Sequence, residues 1–301
     1  MTTNAEETSI ALSQGAFTVD PESELKRFGK RLLRDKVGMI SLVLVLSLIL
    51  FAFAGPVLYD VDPNVMSKDG KFLGISMAHP LGTDQIARDT FARLMQGGRV
   101  SFAAAGGAGF FALAVGFPLG LLAGYRGGWI DQFIMRFMDT LYAFPGILLA
   151  LGLVAALGSG LDKIIFAIGI FGVPSLARLT RAQVLSVREM DYVTASRALG
   201  ASPYRIVAQH VAPNVVSPPL IAVTTLMAAA VIIEASLGFL GVGIAPPQAT
   251  WGRMLLEAFP TMQIALMQTL TPGIAIFLLV VGMNMFGDTV RDLRDPRLRN
   301  S

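Results

Sequence analysis

Cysteine is absent from this 301-residue chain, and histidine occurs only twice, at His79 and His210, 131 positions apart. Disulfides, thiol catalysis and thiolate metal ligands are therefore excluded, and the histidine spacing does not suit a metal site. His79 reads as a loop residue and His210 as part of an exposed interface. A hydrolase working inside a membrane would need a paired aspartate, a Ser–His pair or a histidine cluster in its apolar runs, and none is present. One carboxylate stands out. Glu234 follows the uncharged run Ile206–Ile233, and a charge set against a long apolar segment is costly enough to be a functional candidate. Two readings of it stay open: a carboxylate lining a path through the membrane, or a hydrated helix-end residue at the outer interface.

Hydropathy sets the elements that must position these residues. Hydrophobic residues make up 53% of the chain and charged ones 15%, with mean hydropathy +0.62, against about 25% charged in an ordinary soluble domain. A helix crossing a bilayer needs roughly 20 mostly apolar residues. Stretches free of Asp, Glu, Lys and Arg are Val37–Tyr59, Val100–Tyr125, Thr140–Leu161, Ile164–Ala177, Ile206–Ile233 and Ala258–Gly287. The fourth has 14 residues and spans only if Lys163 and Arg178 carry their charges outward from its ends. The first follows basic residues and contains Ala52-Phe53-Ala54, which resembles a leader cleavage site. It is longer than a typical leader core and begins after 36 residues, so a span is the better reading.

Basic residues orient the spans. Six spans place both termini on one side, and 17 of the 24 Lys and Arg then fall on that side, from Lys26 before the first span to Arg299 in the tail. Both termini are expected in the cytoplasm. Without the fourth span the tail arginines would move outside, which argues for keeping it. The net charge of +3 is too small for a nucleic-acid footprint. Small residues such as Gly116, Gly120 and Gly124 let helices approach closely in lipid. Prolines such as Pro118, Pro174 and Pro272 serve either packing or a bundle built to bend. Residues 1–25 are polar and read as disordered. Within residues 60–99, Ile86–Met95 reads as a short amphipathic helix on the outer surface. Trp251 and Tyr125 read as interfacial aromatics.

The most informative segment lies between the fourth and fifth spans, residues 188–213. Asp191 is a good N-cap and Gly200 a good C-terminal stop. Ser202 then caps a second short helix with Pro203 at its first position, and that helix ends at Pro213. The small face of Thr194, Ala195 and Ala198 lets another protein come close, as a helix docked in a groove requires.

This segment resembles the EAA loop of the binding-protein-dependent ABC permeases. In that family Glu-Ala-Ala, three residues, Gly, nine residues, Ile, one residue and Leu-Pro form the coupling helix that docks on an ATPase. Here Thr194-Ala195-Ser196, Gly200, His210, Ala212 and Pro213 hold the corresponding places. Thr194 stands where the family has an acid, so a salt bridge at that point is not implied. Ala78-His79-Pro80-Leu81-Gly82-Thr83-Asp84 followed by Arg88-Asp89 is similar to the external signature of the dipeptide and oligopeptide branch. Arg178-Leu179-Thr180-Arg181, Leu237-Gly238-Phe239-Leu240-Gly241, Pro246-Pro247 with Trp251-Gly252, and Gly287-Asp288 fit the same branch. Ala87 departs from its usual Gly.

The resemblance implies an all-α membrane protein with six transmembrane helices, the type I ABC importer permease fold, in a bacterial inner membrane. It divides the chain into a cytoplasmic segment 1–36, a first helix 37–59, an outer segment 60–99, a five-helix core 100–287 and a cytoplasmic tail 288–301. It implies that Asp191, Thr194, Ala195, Ser196, Arg197, Ala198, Gly200 and Pro213 couple the chain to the ATPase. It implies as partners a second homologous permease, two ATPase subunits, an external substrate-binding protein, a peptide substrate and membrane lipid, with no nucleic acid. No Gly-x-x-x-x-Gly-Lys-Ser/Thr loop occurs, so the chain binds no cofactor and ATP with its magnesium belongs to the partner subunits. Glu234, in its path reading, would meet a peptide's amino group. Relatives that carry nickel chelates or glutathione keep those substrates open. An ion-driven carrier would show ionisable residues at mid-span and inverted repeats. The span centres lack charge and no repeat is visible, and ATP-dependent uptake would separate the two.

Overall fold

The computed structural model describes residues 21–294. The expectation of disorder over residues 1–20, and Arg297 and Arg299 of the tail, lie outside the described residues, while residues 21–25, also expected to be disordered, begin a helix. Among the described residues every regular element is helical, with only isolated bridges such as Thr83 to Asp89.

Helix α1 (Pro21–Arg34) ends at Asp35, whose carboxylate accepts from the Val37 amide and starts α2 (Lys36–Phe53), the first span. A short helix α3 (Gly55–Leu58) turns the chain into an irregular segment that runs to Asp89. Asp89 then caps α4 (Thr90–Arg126), accepting from the Ala92 amide. At 37 residues, α4 is about 55 Å long, well beyond the roughly 30 Å of a hydrocarbon core. Its first turns are buried in the protein. This corrects the outer-surface helix expected over Ile86–Met95. Ile86 is not helical, and Gly97 and Gly98 do not break α4. They admit Trp251 and Ala52, whose atoms lie 2.6 and 2.9 Å from where a Cβ would stand.

The third span is also corrected. Helices α5 (Gly128–Tyr142) and α6 (Gly146–Leu157) replace one rod over Thr140–Leu161 and meet at an 88° bend. Pro145 at the break has no amide to continue the ladder, and its carbonyl instead starts α6 by accepting from Leu148 and Leu149. The fourth span is longer than its uncharged stretch. Helix α7 (Leu161–Val187) runs on through Arg178 and Arg181. Those charges are answered laterally from α5 rather than at the helix end. Arg181 makes two bonds to Asp131 at 2.5 and 2.6 Å, and Arg178 stands over the Tyr142 ring and pairs with Asp139 at 3.3 Å.

Helix α11 (Ser217–Phe239) and helix α13 (Leu266–Arg294) form the last two spans, joined across a short helix α12 (Trp251–Ala258). Among the described residues five helices are thus long and apolar enough to cross a membrane, and the bent pair α5–α6, taken as one span, makes six. Small residues set the packing at the centre. Gly116, Gly120 and Gly124 form one stripe on α4 that lies against the backbone of α7. Trp251 is not an interfacial aromatic. It is 1% exposed and its indole donates to the Leu94 carbonyl at 2.8 Å.

Candidate functional site

At one end of the bundle, between α7 and α11, the chain makes a capped double turn. Helix α8 (Asp191–Ala198) begins after Met190, which takes the extended cap conformation. Asp191 is therefore the first helical residue and not the cap, and its carboxylate faces the positive end of the helix. Gly200 has φ +81°. Its amide donates to Arg197 and the Ala201 amide to Ser196, which together close α8 in a Schellman turn. Ser202 then caps the Arg205 amide and Pro203 opens α9 (Pro203–Ile206). Pro213 does not end this helix. The chain continues through a π-helical turn, Val207–Val211, into α10 (Ala212–Val215), with the Ala212 amide donating to Val207. A proline without an amide marks the place where the hydrogen-bond ladder slips register.

Val193, Ile206, Val211 and Val215 anchor this turn to Val184 and Val187 of α7, with Phe117, Leu121 and Tyr125 of α4 beside them. Tyr125 is thus part of the anchor. Arg188 fixes the entry by donating to the Gly124 carbonyl at 2.8 Å. Thr194, Ala195, Arg197, Ala198 and Gly200 are exposed, while Ser196 is half-buried and bonds back to Tyr192. The residues that sequence reasoning missed are Leu199, 89% exposed, and Tyr204, 83% exposed. They project from an otherwise anchored element, and apolar residues beside a capped turn were the signal available. His210 is half-buried and meets the Tyr192 ring edge-on at 6.4 Å.

A cavity of about 770 Å³ opens between α5, α7, α11 and α13. The aromatic pair Tyr142 and Phe171, stacked at 6.2 Å, lines one side, with Ser175, Asn214 and Thr225 among the polar residues of the wall. Glu234 is not on it. Its side chain is 1% exposed and takes a hydrogen bond from the Ser101 hydroxyl of α4 at 3.0 Å. Of the two readings open for this residue, the hydrated helix end gives way to a buried tie between two packed helices.

At the opposite end, the segment before α4 is clasped by charge. His79 is not a free loop residue. It is 8% exposed, with Nδ1 at 2.7 Å from Asp89 and Nε2 at 3.3 Å from both Asp69 and Ser67. The Asp89 hydrogen bond raises the imidazole pKa, burial opposes it, and Asp69 adds to the rise. Burial, then the Asp89 bond, hold the Tyr59 hydroxyl protonated above the usual phenol range. Ser67, His79 and Asp89 have the order of a hydrolytic triad, but the Ser67 hydroxyl is engaged by Asp69 at 3.2 Å. Arg88 and Arg93 reach Glu257 of α12 at 2.6 and 3.1 Å, and Gln268 donates to the Thr83 carbonyl, so this cap is bound to α12 and α13. Among the described residues no group of three metal-ligating side chains occurs.

Residues 116–300 match the family model of the binding-protein-dependent transport system inner membrane component, and residues 23–74 match the N-terminal transmembrane domain of oligopeptide transport permease C. The chain is 40% identical over 277 residues to the glutathione transport system permease protein GsiD of Pectobacterium atrosepticum, covering 91% of this chain and 92% of that one. It is 38% identical over 275 residues to the dipeptide transport system permease protein DppC of Alkalihalophilus pseudofirmus, covering 90% and 89%. The fold matches a chain of the MetNI methionine ABC transporter, solved in inward-facing conformations. The TM-score is 0.56 at 22% identity, with 67% of this chain and 97% of that chain covered. A capped turn held rigidly at one end of a six-span bundle, a cavity beside it and these matches agree: the chain belongs to the binding-protein-dependent inner membrane components, as a permease subunit of an ABC importer of the dipeptide and oligopeptide branch, a transport subunit and not an enzyme.

Proposed function

We propose that this chain forms half of the translocation path for short peptides, and that the turn at residues 188–213 couples it to an ATPase subunit. The path is the cavity of about 770 Å³, a size within the usual range for small-molecule sites. A second homologous permease would close its open side, and an external binding protein would deliver the peptide to the cap. With the turn facing the ATPase, both termini lie in the cytoplasm and the cap outside, in agreement with the distribution of Lys and Arg. Glutathione is a second substrate reading, favoured by the GsiD relatives.

The observation that carries the coupling role is the exposure of Leu199 at 89% and Tyr204 at 83% on an element anchored from beneath by the buried Val193, Ile206, Val211 and Val215. An exposed apolar pair on a rigid support is what a docking surface needs. Leu199→Asp is expected to leave membrane abundance unchanged and to lose ATPase co-purification. Normal co-purification with normal uptake would show that the turn does not dock.

A further inference from the structure

Asp288 and Arg291 are the only charged residues among the described lining of the large cavity. They stand three positions apart on α13, so they share one helix face with side chains rooted about 5–6 Å apart. Both are exposed, and among the described residues neither forms an ion pair, whereas Arg181 and Arg178 on the facing helix are paired with Asp131 and Asp139. Immediately before them, Gly287 lies against Thr224 of α11, so α13 is held firmly at this level. The rest of the wall is neutral. Tyr142, Phe171 and Leu226 give it an apolar expanse with no fixed shape for one side chain.

An acid and a base left unpaired at adjacent places on a wide neutral cavity complement a ligand that carries both charges. A peptide with free ends is such a ligand. Two residues span at most about 7 Å, which suits side chains rooted 5–6 Å apart on one helix face. We propose that Asp288 and Arg291 are specificity-determining residues that read the two termini of a short peptide, Asp288 receiving the ammonium and Arg291 the carboxylate. The apolar wall then accepts varied side chains, and recognition rests on the backbone ends. This rests on the reading of the cavity as the path.

The test uses the assembled transporter in vesicles, with a single cysteine at Thr225 on the cavity wall. Protection of that cysteine from alkylation is titrated with alanyl-alanine, its N-acetyl form and its C-terminal amide. Alanyl-alanine should protect at concentrations about tenfold below either blocked form, as expected for loss of one charge-assisted hydrogen bond. In Asp288→Asn the advantage over the N-acetyl form should vanish while that over the amide remains. In Arg291→Gln the reverse should hold. Equal protection by all three peptides, or discrimination that survives both substitutions, overturns the inference and leaves the path reading intact. A cysteine that no peptide protects removes the path reading and the inference with it. Exchanging the two charges, Asp288→Arg with Arg291→Asp, guards against misfolding, because discrimination should return if the pair acts through charge.

Discussion

A carboxylate inside an apolar helix has to be answered by another group, and Glu234 is answered by the Ser101 hydroxyl. Glu234→Gln keeps an acceptor for that hydroxyl, so uptake is expected to stay close to normal. Glu234→Leu strands the Ser101 hydroxyl and should cost about 1–3 kcal/mol, seen as a lower Tm of the detergent-solubilised chain. Uptake lost in Glu234→Gln at normal abundance would return this residue to the path. His79 gives a prediction with a definite sign. Its pKa is raised in the folded chain by Asp89 and Asp69. The stability it contributes is therefore complete below the unfolded value of about 6.5 and is lost as pH rises through the folded value. The Tm should fall on the alkaline side of that value, and His79→Asn should flatten the dependence. An unchanged slope in the variant would show that His79 does not titrate in this clasp. Neither role was legible in the sequence. Glu234 could be singled out, but Ser101 is 133 positions away, and no local pattern announces such a partner. His79 stands in a loop signature whose two carboxylates meet it only after the chain folds back on itself.

Helix boundaries were legible where the capping chemistry is local and misread where tertiary partners decide. Gly200, Ser202 and Pro203 took their expected places because each acts on atoms a few residues away. The fourth span looks short in the sequence because Lys163 and Arg178 bound its uncharged stretch and Arg181 falls in the loop beyond. Asp139, Asp131 and Tyr142 answer the two arginines from another helix. The amphipathic stretch Ile86–Met95 reads as a separate surface helix, but its polar face, Arg93 included, is buried against other parts of the chain, and Gly97 and Gly98 carry α4 on into close approach to Trp251 and Ala52. The same principle predicts a contrast along α4. At Gly120 an added Cβ would stand 2.5 Å from the Ala177 carbonyl and 2.6 Å from the Thr180 Cβ, whereas at Gly106 nothing lies within 4 Å. Gly120→Val should cost about 1–3 kcal/mol through overpacking and lower the Tm, while Gly106→Val should leave it nearly unchanged. Equal effects of the two would remove the glycine stripe as the determinant of α4–α7 packing.

On the scale of the whole molecule, two rigid ends enclose a bundle built from small residues and bent helices. One end is clasped by His79, Asp89, Arg88, Arg93 and Glu257. The other is the anchored turn of residues 188–213. The six-span count and the family were legible, since hydropathy and short motifs carry both. The cavity was not, because its wall draws on four helices remote in sequence. In the proposed function, force from an ATPase crosses this turn to move the bundle, and Gly200 at φ +81° fixes the turn's shape. A β-branched residue there costs about 1–2 kcal/mol and redirects α9, while the spans do not depend on it. The direct measurement uses vesicles holding the assembled transporter with a cysteine at Ala198, in the Gly200 and Gly200→Val backgrounds, and follows cross-linking to the ATPase together with ATP-driven uptake. The account predicts a cross-link and uptake with Gly200, and the loss of both in Gly200→Val at equal membrane abundance. No cross-link in the Gly200 background, with uptake undiminished in Gly200→Val, would contradict it.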